Sequence, residues 1–192
     1  MQVLKSAIND SILNNAESMF YALGYLGTSM RELAKKVGIS FSNLYRYFEN
    51  KSDLYDALMQ PYYTAFMETI ARLMEHDENE VSSYQHIQQI SDLFIHLIKL
   101  DRKKFVILME GSQGTRYETV HKEMIQAIQE RIQASLPNLA EQHPALIHSL
   151  AANLFNAILD IAKNANDDTV LRKNFNALVV YHLGGIQKLK EL

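Results

Sequence analysis

Residues 28–51 read TSMRELAKKVGISFSNLYRYFENK, and this stretch decides the fold. Ser29-Met-Arg-Glu32 has the spacing of a capping box and predicts a helix start. Met30, Leu33, Ala34 and Val37 form its inward face. Gly38 stops that helix, because glycine accepts the left-handed conformation that closes it. Ser40 caps a second short helix expected through Phe48. Two short helices joined by a tight turn containing glycine make a helix-turn-helix. Ala34, Val37, Ile39, Leu44 and Phe48 sit where the helices must pack together. The second helix is then left with an outward face of Phe41, Ser42, Asn43, Tyr45, Arg46 and Tyr47. Aromatics and an arginine with few carboxylates suit a DNA major groove. Arginine can fork onto guanine, asparagine can pair with adenine, and an aromatic edge can touch a thymine methyl. Hydroxyls and helix starts can meet phosphates.

Charge supports the same stretch. The chain of 192 residues carries a net charge of −3, which argues against nucleic acid when read as a sum. Its distribution argues otherwise. Residues 28–51 hold Arg31, Lys35, Lys36, Arg46 and Lys51 against Glu32 and Glu49, a balance of +3 in 24 residues.

Outward from the motif, nearly every segment has helical periodicity. Upstream, residues 5–23 place Ile8, Ile12, Ala16, Met19, Phe20 and Leu23 on one stripe, ended by Gly24. Downstream, Asn50-Lys-Ser-Asp53 opens a fourth helix with Leu54, Ala57 and Leu58 inward, and it meets Pro61, which kinks or ends it. Further helices are expected near 82–99, 102–111, 115–135, 144–165 and 168–190, with a loop between Pro137 and Pro144. Phe105–Met109 is apolar all round and predicts a central, buried helix. The expected fold is all-α with about nine helices. A helix-turn-helix domain is expected at 1–50, joined by a long helix to a larger helical domain at 51–192, for which ligand binding and dimerisation are the expectations drawn below.

Composition excludes several classes. With no cysteine there is no disulfide framework, thiolate nucleophile or cysteine-held metal. No unbroken apolar run long enough for a membrane span is present, and the N-terminus lacks the apolar core of a signal peptide. The expectation is a cytoplasmic protein without membrane contact. His76, His86, His96, His121, His143, His148 and His182 include no i,i+4 pair and no metalloprotease motif, so no metal is expected. Gly111-Ser-Gln-Gly114 lacks the lysine of a phosphate loop, and acid pairs such as Glu78 and Glu80 read as turn residues. No nucleophile motif is found, so neither an enzyme nor a cofactor is expected.

The pattern Gly24, Thr28–Ala34, Gly38-Ile-Ser40, Leu44-Tyr-Arg-Tyr-Phe48 and Lys51-Ser-Asp-Leu54 resembles the TetR family of bacterial transcriptional regulators over about residues 8–58. Ser42 departs from the glycine, alanine or proline common there. The resemblance implies that Phe41, Ser42, Asn43, Tyr45 and Arg46 face base edges or nearby backbone, that Arg31 reaches a base or phosphate, and that Thr28, Ser29, Ser40, Tyr47 and Lys51 hold phosphates. It further implies a repressor that binds a palindromic double-stranded operator as a homodimer and is released by a small effector.

Two features of the larger domain bear on that expectation. Tyr62, Phe66, Met67, Phe94, Phe105, Met109, Tyr117, Met124 and Phe155 are candidates to line a pocket for a mainly apolar molecule, and ordinary core is the simpler reading of any one of them. The apolar stripes of residues 144–190, with Gly184-Gly185 inside a helix, predict a two-fold four-helix interface. A constitutive DNA-organising or partner-binding protein of the same fold is the alternative.

Overall fold

The computed structural model of the chain describes residues 2–74 and 84–191. Among them are ten helices and no strand: α1 (Gln2–Gly27), α2 (Met30–Val37), α3 (Phe41–Leu44), α4 (Lys51–Met74), α5 (Tyr84–Leu100), α6 (Arg102–Glu110), α7 (Val120–Ser135), α8 (Pro137–Gln142), α9 (Pro144–Asn164) and α10 (Asp168–Leu189). His76, Glu78, Glu80 and the expected start of the fifth helix at 82–83 lie outside the described residues.

The chain divides into two compact units, Met1–Met67 with Lys103–Glu118, and Glu68–Arg102 with Thr119–Leu192. The first half of α4 is part of the first unit's core. In that unit Ile12, Ala16 and Phe20 of α1, Leu33 and Ala34 of α2, Leu44 of α3, Leu54, Tyr55 and Phe66 of α4, and all of Phe105–Met109 in α6 are buried. Burial of that five-residue run follows from its having no polar face. Tyr55 meets the edges of Phe20 and Tyr25 at ring-centre distances of 4.9 and 5.2 Å, geometries that aromatic quadrupoles favour.

The second unit packs α9 against α7 and α10, and α5 against α10. Ile132, Leu136, Ile147 and Ala151 form a buried cluster flanked by Ile125, Ile128, Leu139, Leu150, Ile186 and Leu189. Phe94 stacks on Phe175 at 5.7 Å. Lys99 pairs with Asp168, and Arg172 with Asp92.

Several expectations change. The loop between the prolines is a helix, α8, because Pro137 and Pro144 each occupy the first turn of a helix, where a missing N–H costs nothing. The seventh helix starts at Val120 and not near 115, because the chain from Ser112 to Glu118 makes successive i→i+3 turns. α4 is one helix with Pro61 inside it. Leu23 and Ala57 are exposed despite their helical spacing. α9 has the length and mean hydropathy (1.4) of a membrane span, although its sequence has no unbroken apolar run. Its apolar stripe packs on α7 and α10, while His148, Ser149, Asn153 and Asn156 stay exposed.

Candidate nucleic-acid interface

The first unit builds the interface from three local devices. Gly38, at φ 79° and ψ 27°, closes α2, and its N–H donates to the carbonyls of Ala34 and Lys35. Such a left-handed cap is nearly free for glycine alone. Ser40 then caps α3, its hydroxyl accepting from the Asn43 N–H at 3.2 Å. Asn50 caps α4, accepting from the Asp53 N–H at 2.9 Å while its amide donates to the Asp53 carboxylate. Ser29 has the extended backbone of a cap but makes no side-chain cap bond, so the expected capping box does not form. α3 itself is one turn long and continues through Tyr45–Tyr47 as tighter turns, with Arg46 and Tyr47 N–H groups reaching back three residues.

Leu44 is fully buried and anchors this segment, which leaves its neighbours outside. Phe41 and Tyr45 are 40% and 42% exposed. They meet edge to face at 4.9 Å, and the Arg31 guanidinium lies 5.4 Å from the Phe41 ring centre. Ser42 and Arg46 are exposed, and Asn43 and Tyr47 are half-buried. The Ser42 hydroxyl sits 3.2 Å from that of Ser40. Arg31, Lys35, Lys36 and Arg46 all stay exposed, which keeps the basic island at the surface.

Two candidate phosphate contacts are placed differently. Thr28 is 3% exposed, and its hydroxyl donates to the Gly24 carbonyl at 2.8 Å, so its side chain is not part of the open face. Lys51 donates to the carbonyls of Tyr25 and Thr28 at 2.7 and 3.1 Å and lies 4.3 Å from the Tyr25 ring centre. Partial burial pushes its ammonium below the usual lysine value.

Residues 12–58 match the family model described as "Bacterial regulatory proteins, tetR family". This stretch is therefore a TetR-family domain. The TetR-family domain is a DNA-binding helix-turn-helix, and the faces described above are its α2 and α3. Among curated relatives, the "Probable HTH-type transcriptional regulator YttP" of Bacillus subtilis (strain 168) is 26% identical over 90 residues, 47% of this chain and 44% of that protein. The "Biofilm operon icaADBC HTH-type negative transcriptional regulator IcaR" of Staphylococcus epidermidis is 31% identical over 72 residues, 38% of each chain. The matches thus span less than half the length of these relatives. Beyond that region the likeness is one of fold. A TetR-like regulator from Rhodococcus sp. RHA1 superposes with a TM-score of 0.59 at 19% identity, covering 93% of this chain and 96% of that one. A TetR-family regulator from Chloroflexus aurantiacus J-10-FL also gives 0.59, at 14% identity, covering 97% and 93%.

The candidate effector residues divide between the units. Tyr62, Phe66, Met67, Phe105, Met109 and Tyr117 belong to the first, and Phe94, Met124 and Phe155 to the second. Tyr62, Phe66, Phe105, Met109 and Tyr117 are buried, with Phe66 6.4 Å from both Tyr62 and Phe105. The Tyr117 hydroxyl donates to Gln60 at 3.0 Å. Met124 and Phe155 are buried in the second unit, where Phe155 lies 5.2 Å from the His121 ring; Met67 and Phe94 are half-buried. A half-open groove in the first unit lies elsewhere, between Phe20–Gly24 of α1 and Val106–Gly111. Sequence reading missed what joins these two stretches. The Tyr25 N–H donates to the Gly111 carbonyl at 2.8 Å, and the Tyr55 and Ser112 hydroxyls meet at 2.8 Å. Gly24 and Gly111 were the available signal, two glycines whose backbones touch.

Proposed function

We propose that this protein is a transcriptional repressor that binds a two-fold symmetric DNA operator as a homodimer. The observation that carries the reading is the face of α3 and the turn after it. Leu44 is buried there while Phe41, Ser42, Tyr45 and Arg46 point outward beside the exposed cations Arg31, Lys35 and Lys36. A recognition helix presents such N-terminal side chains to base edges, while a capped helix start and nearby cations suit phosphates. Ser29, Ser40, Asn43 and Tyr47 serve in this reading as backbone contacts or hydrogen-bond partners of the operator. The sign of regulation is taken over from the negative regulator named above.

A homodimer follows from the geometry of DNA, since one short helix reads few base pairs and half-sites repeat every 34–36 Å. α9 and α10 supply the face for it. Val180 and Tyr181 are 56% and 76% exposed, and side chains added at Gly184 or Gly185 would meet nothing in the chain itself. Two glycines inside a helix cost about 1 kcal/mol each relative to alanine, a cost that close approach of a second helix explains.

A small, mainly apolar molecule releases the operator in this reading. The second reading, a ligand-independent DNA-organising protein, is favoured by one observation: Tyr62, Phe66, Phe105 and Tyr117 are buried as ordinary core. One experiment series addresses both. Duplexes are selected from a random pool with the full chain, and stoichiometry and affinity are measured on the selected sequence. Two chains per palindromic duplex, tight binding and loss of binding with an apolar compound support the first reading. Equal affinity for all duplexes sinks it, and a sequence-specific complex that no compound releases leaves the ligand-independent form.

A further inference from the structure

We infer that Phe41 reads the C5-methyl group of a thymine in the major groove, so that the bound sequence carries an A·T pair of fixed orientation in each half-site. The inference rests on the DNA-binding reading above and deepens it. Phe41 is the first residue of α3, at the end of the recognition helix that enters the groove. Its ring has no donor or acceptor, so it cannot read the hydrogen-bonding edges of adenine, guanine or cytosine. Thymine alone offers an apolar group on the major-groove edge.

The ring is also held ready. Tyr45 lies one turn further along and meets it at 74° between planes and 4.9 Å between centres. The Arg31 guanidinium lies 5.4 Å from its centre, from the other helix of the motif. No carboxylate pairs with Arg31 among the described residues, so nothing there competes for this contact. Despite both neighbours the ring keeps 40% of its surface in water. An exposed phenylalanine pinned between an arginine and a tyrosine, beside the hydrophilic Ser40 and Ser42, is costly in water and useful where a methyl group covers it. Placing the ring in advance lowers the ordering cost of binding.

The test uses duplexes selected from a random pool by the wild-type chain. Each thymine is replaced in turn by deoxyuridine, which keeps every hydrogen-bonding group and loses only the methyl. Affinity is expected to fall about fourfold at one thymine per half-site, the size of one buried methyl group. In Phe41→Ala the same replacement is expected to change nothing. The inference is overturned if wild-type binding ignores every deoxyuridine, or if Phe41→Ala shows the same loss as wild type. The wild-type scan needs no variant to fold, so a scan without any loss overturns the inference by itself, and a scan with a loss is assigned to Phe41 by the Phe41→Ala comparison. Tight, sequence-specific binding that ignores deoxyuridine removes this inference and leaves the repressor reading. A pool from which no duplex is retained removes both.

Discussion

Lys51 and Tyr25 are joined twice. The ammonium donates to the Tyr25 carbonyl at 2.7 Å and lies 4.3 Å from the centre of its ring, and it also donates to the Thr28 carbonyl at 3.1 Å. One side chain thereby ties the start of α4 to the junction of α1 and α2, the frame on which α3 is mounted. Hydrogen bonds from a charged group contribute about 1.5–3 kcal/mol each when buried, and less when water competes. Lys51→Met keeps the stem and removes the donors. It is expected to destabilise the chain by about 2 kcal/mol, read as a lower urea midpoint with an unchanged slope. A midpoint equal to wild type would show that these bonds contribute nothing.

Two glycines of the first unit should differ in their tolerance of alanine. Gly24 breaks α1 at φ 68° and ψ 176°, a region almost closed to other residues, and a Cβ there would meet Gly111 backbone at 3.6 Å. Gly38 has the milder left-handed conformation, and a Cβ there would meet nothing. Gly24→Ala should cost about 1–3 kcal/mol and Gly38→Ala about 1–2. Thermal melts of the pair check the order, and the reverse order would mean that the break at Gly24 is not under strain.

These positions also show why parts of the fold were legible. Gly38, Ser40 and Asn50 act within four residues of themselves, so spacing alone reveals them. The same holds for Phe105–Met109, where the absence of any polar face forces burial. Ser29 shows the limit, since the right spacing to Glu32 formed no side-chain cap. The roles of Lys51 and Thr28 depend on carbonyls of Tyr25 and Gly24, which only the folded chain brings within reach. A lysine and a threonine at helix starts read equally well as phosphate ligands. Likewise the bond between Tyr25 and Gly111 joins residues distant in sequence, and no local pattern encodes it. Pro137 was legible as a break but not as a start, because proline ends one helix and opens the next.

Tyr55 predicts how stability responds to alkali. Burial is the main cause that pushes its phenol from the usual 10.0 up to about 12. The Ser112 hydroxyl lies 2.8 Å from the Leu108 carbonyl and donates its single proton there, so the Tyr55 hydroxyl is the donor in their 2.8 Å bond. Below pH 10 both folded and unfolded chains hold the proton, and the contribution is fully present. Between about 10 and 12 the unfolded chain loses it first, so stability falls as pH rises. Tyr55→Phe should flatten this fall relative to wild type, while costing about 1 kcal/mol at pH 7 for the lost bond. Urea unfolding at pH 9, 10.5 and 11.5 reads the difference. Parallel curves for the two proteins would contradict a buried, protonated Tyr55.

Arg46 is exposed in the turn after α3 and carries no ion-pair partner among the described residues. A guanidinium left unpaired beside a recognition helix is suited to fork onto guanine. Arg46→Ala should weaken binding to the selected duplex by about 1–3 kcal/mol and relax base preference at one position. The folding midpoint should not move, because the side chain is exposed. Fluorescence anisotropy with the selected duplex and its single-base variants measures both effects. Uniform weakening across all variants would make Arg46 a phosphate contact instead of a base reader.

Tyr181 tests the proposed dimer. It is 76% exposed on α10, next to Val180 at 56% and one turn from the open Gly184-Gly185 pair. A side chain so exposed contributes little to the fold of a single chain, so Tyr181→Glu should leave helix content nearly unchanged. In a two-fold interface the same change acts twice, and it places two like charges near the axis where apolar rings should meet. Burying an unpaired carboxylate is strongly unfavourable. Sedimentation should therefore shift from dimer to monomer, and affinity for a palindromic duplex should fall with it, while affinity for an isolated half-site stays as in wild type. A variant that still sediments as a dimer would move the interface away from α10, and a wild-type chain that is monomeric both free and on DNA would remove it altogether.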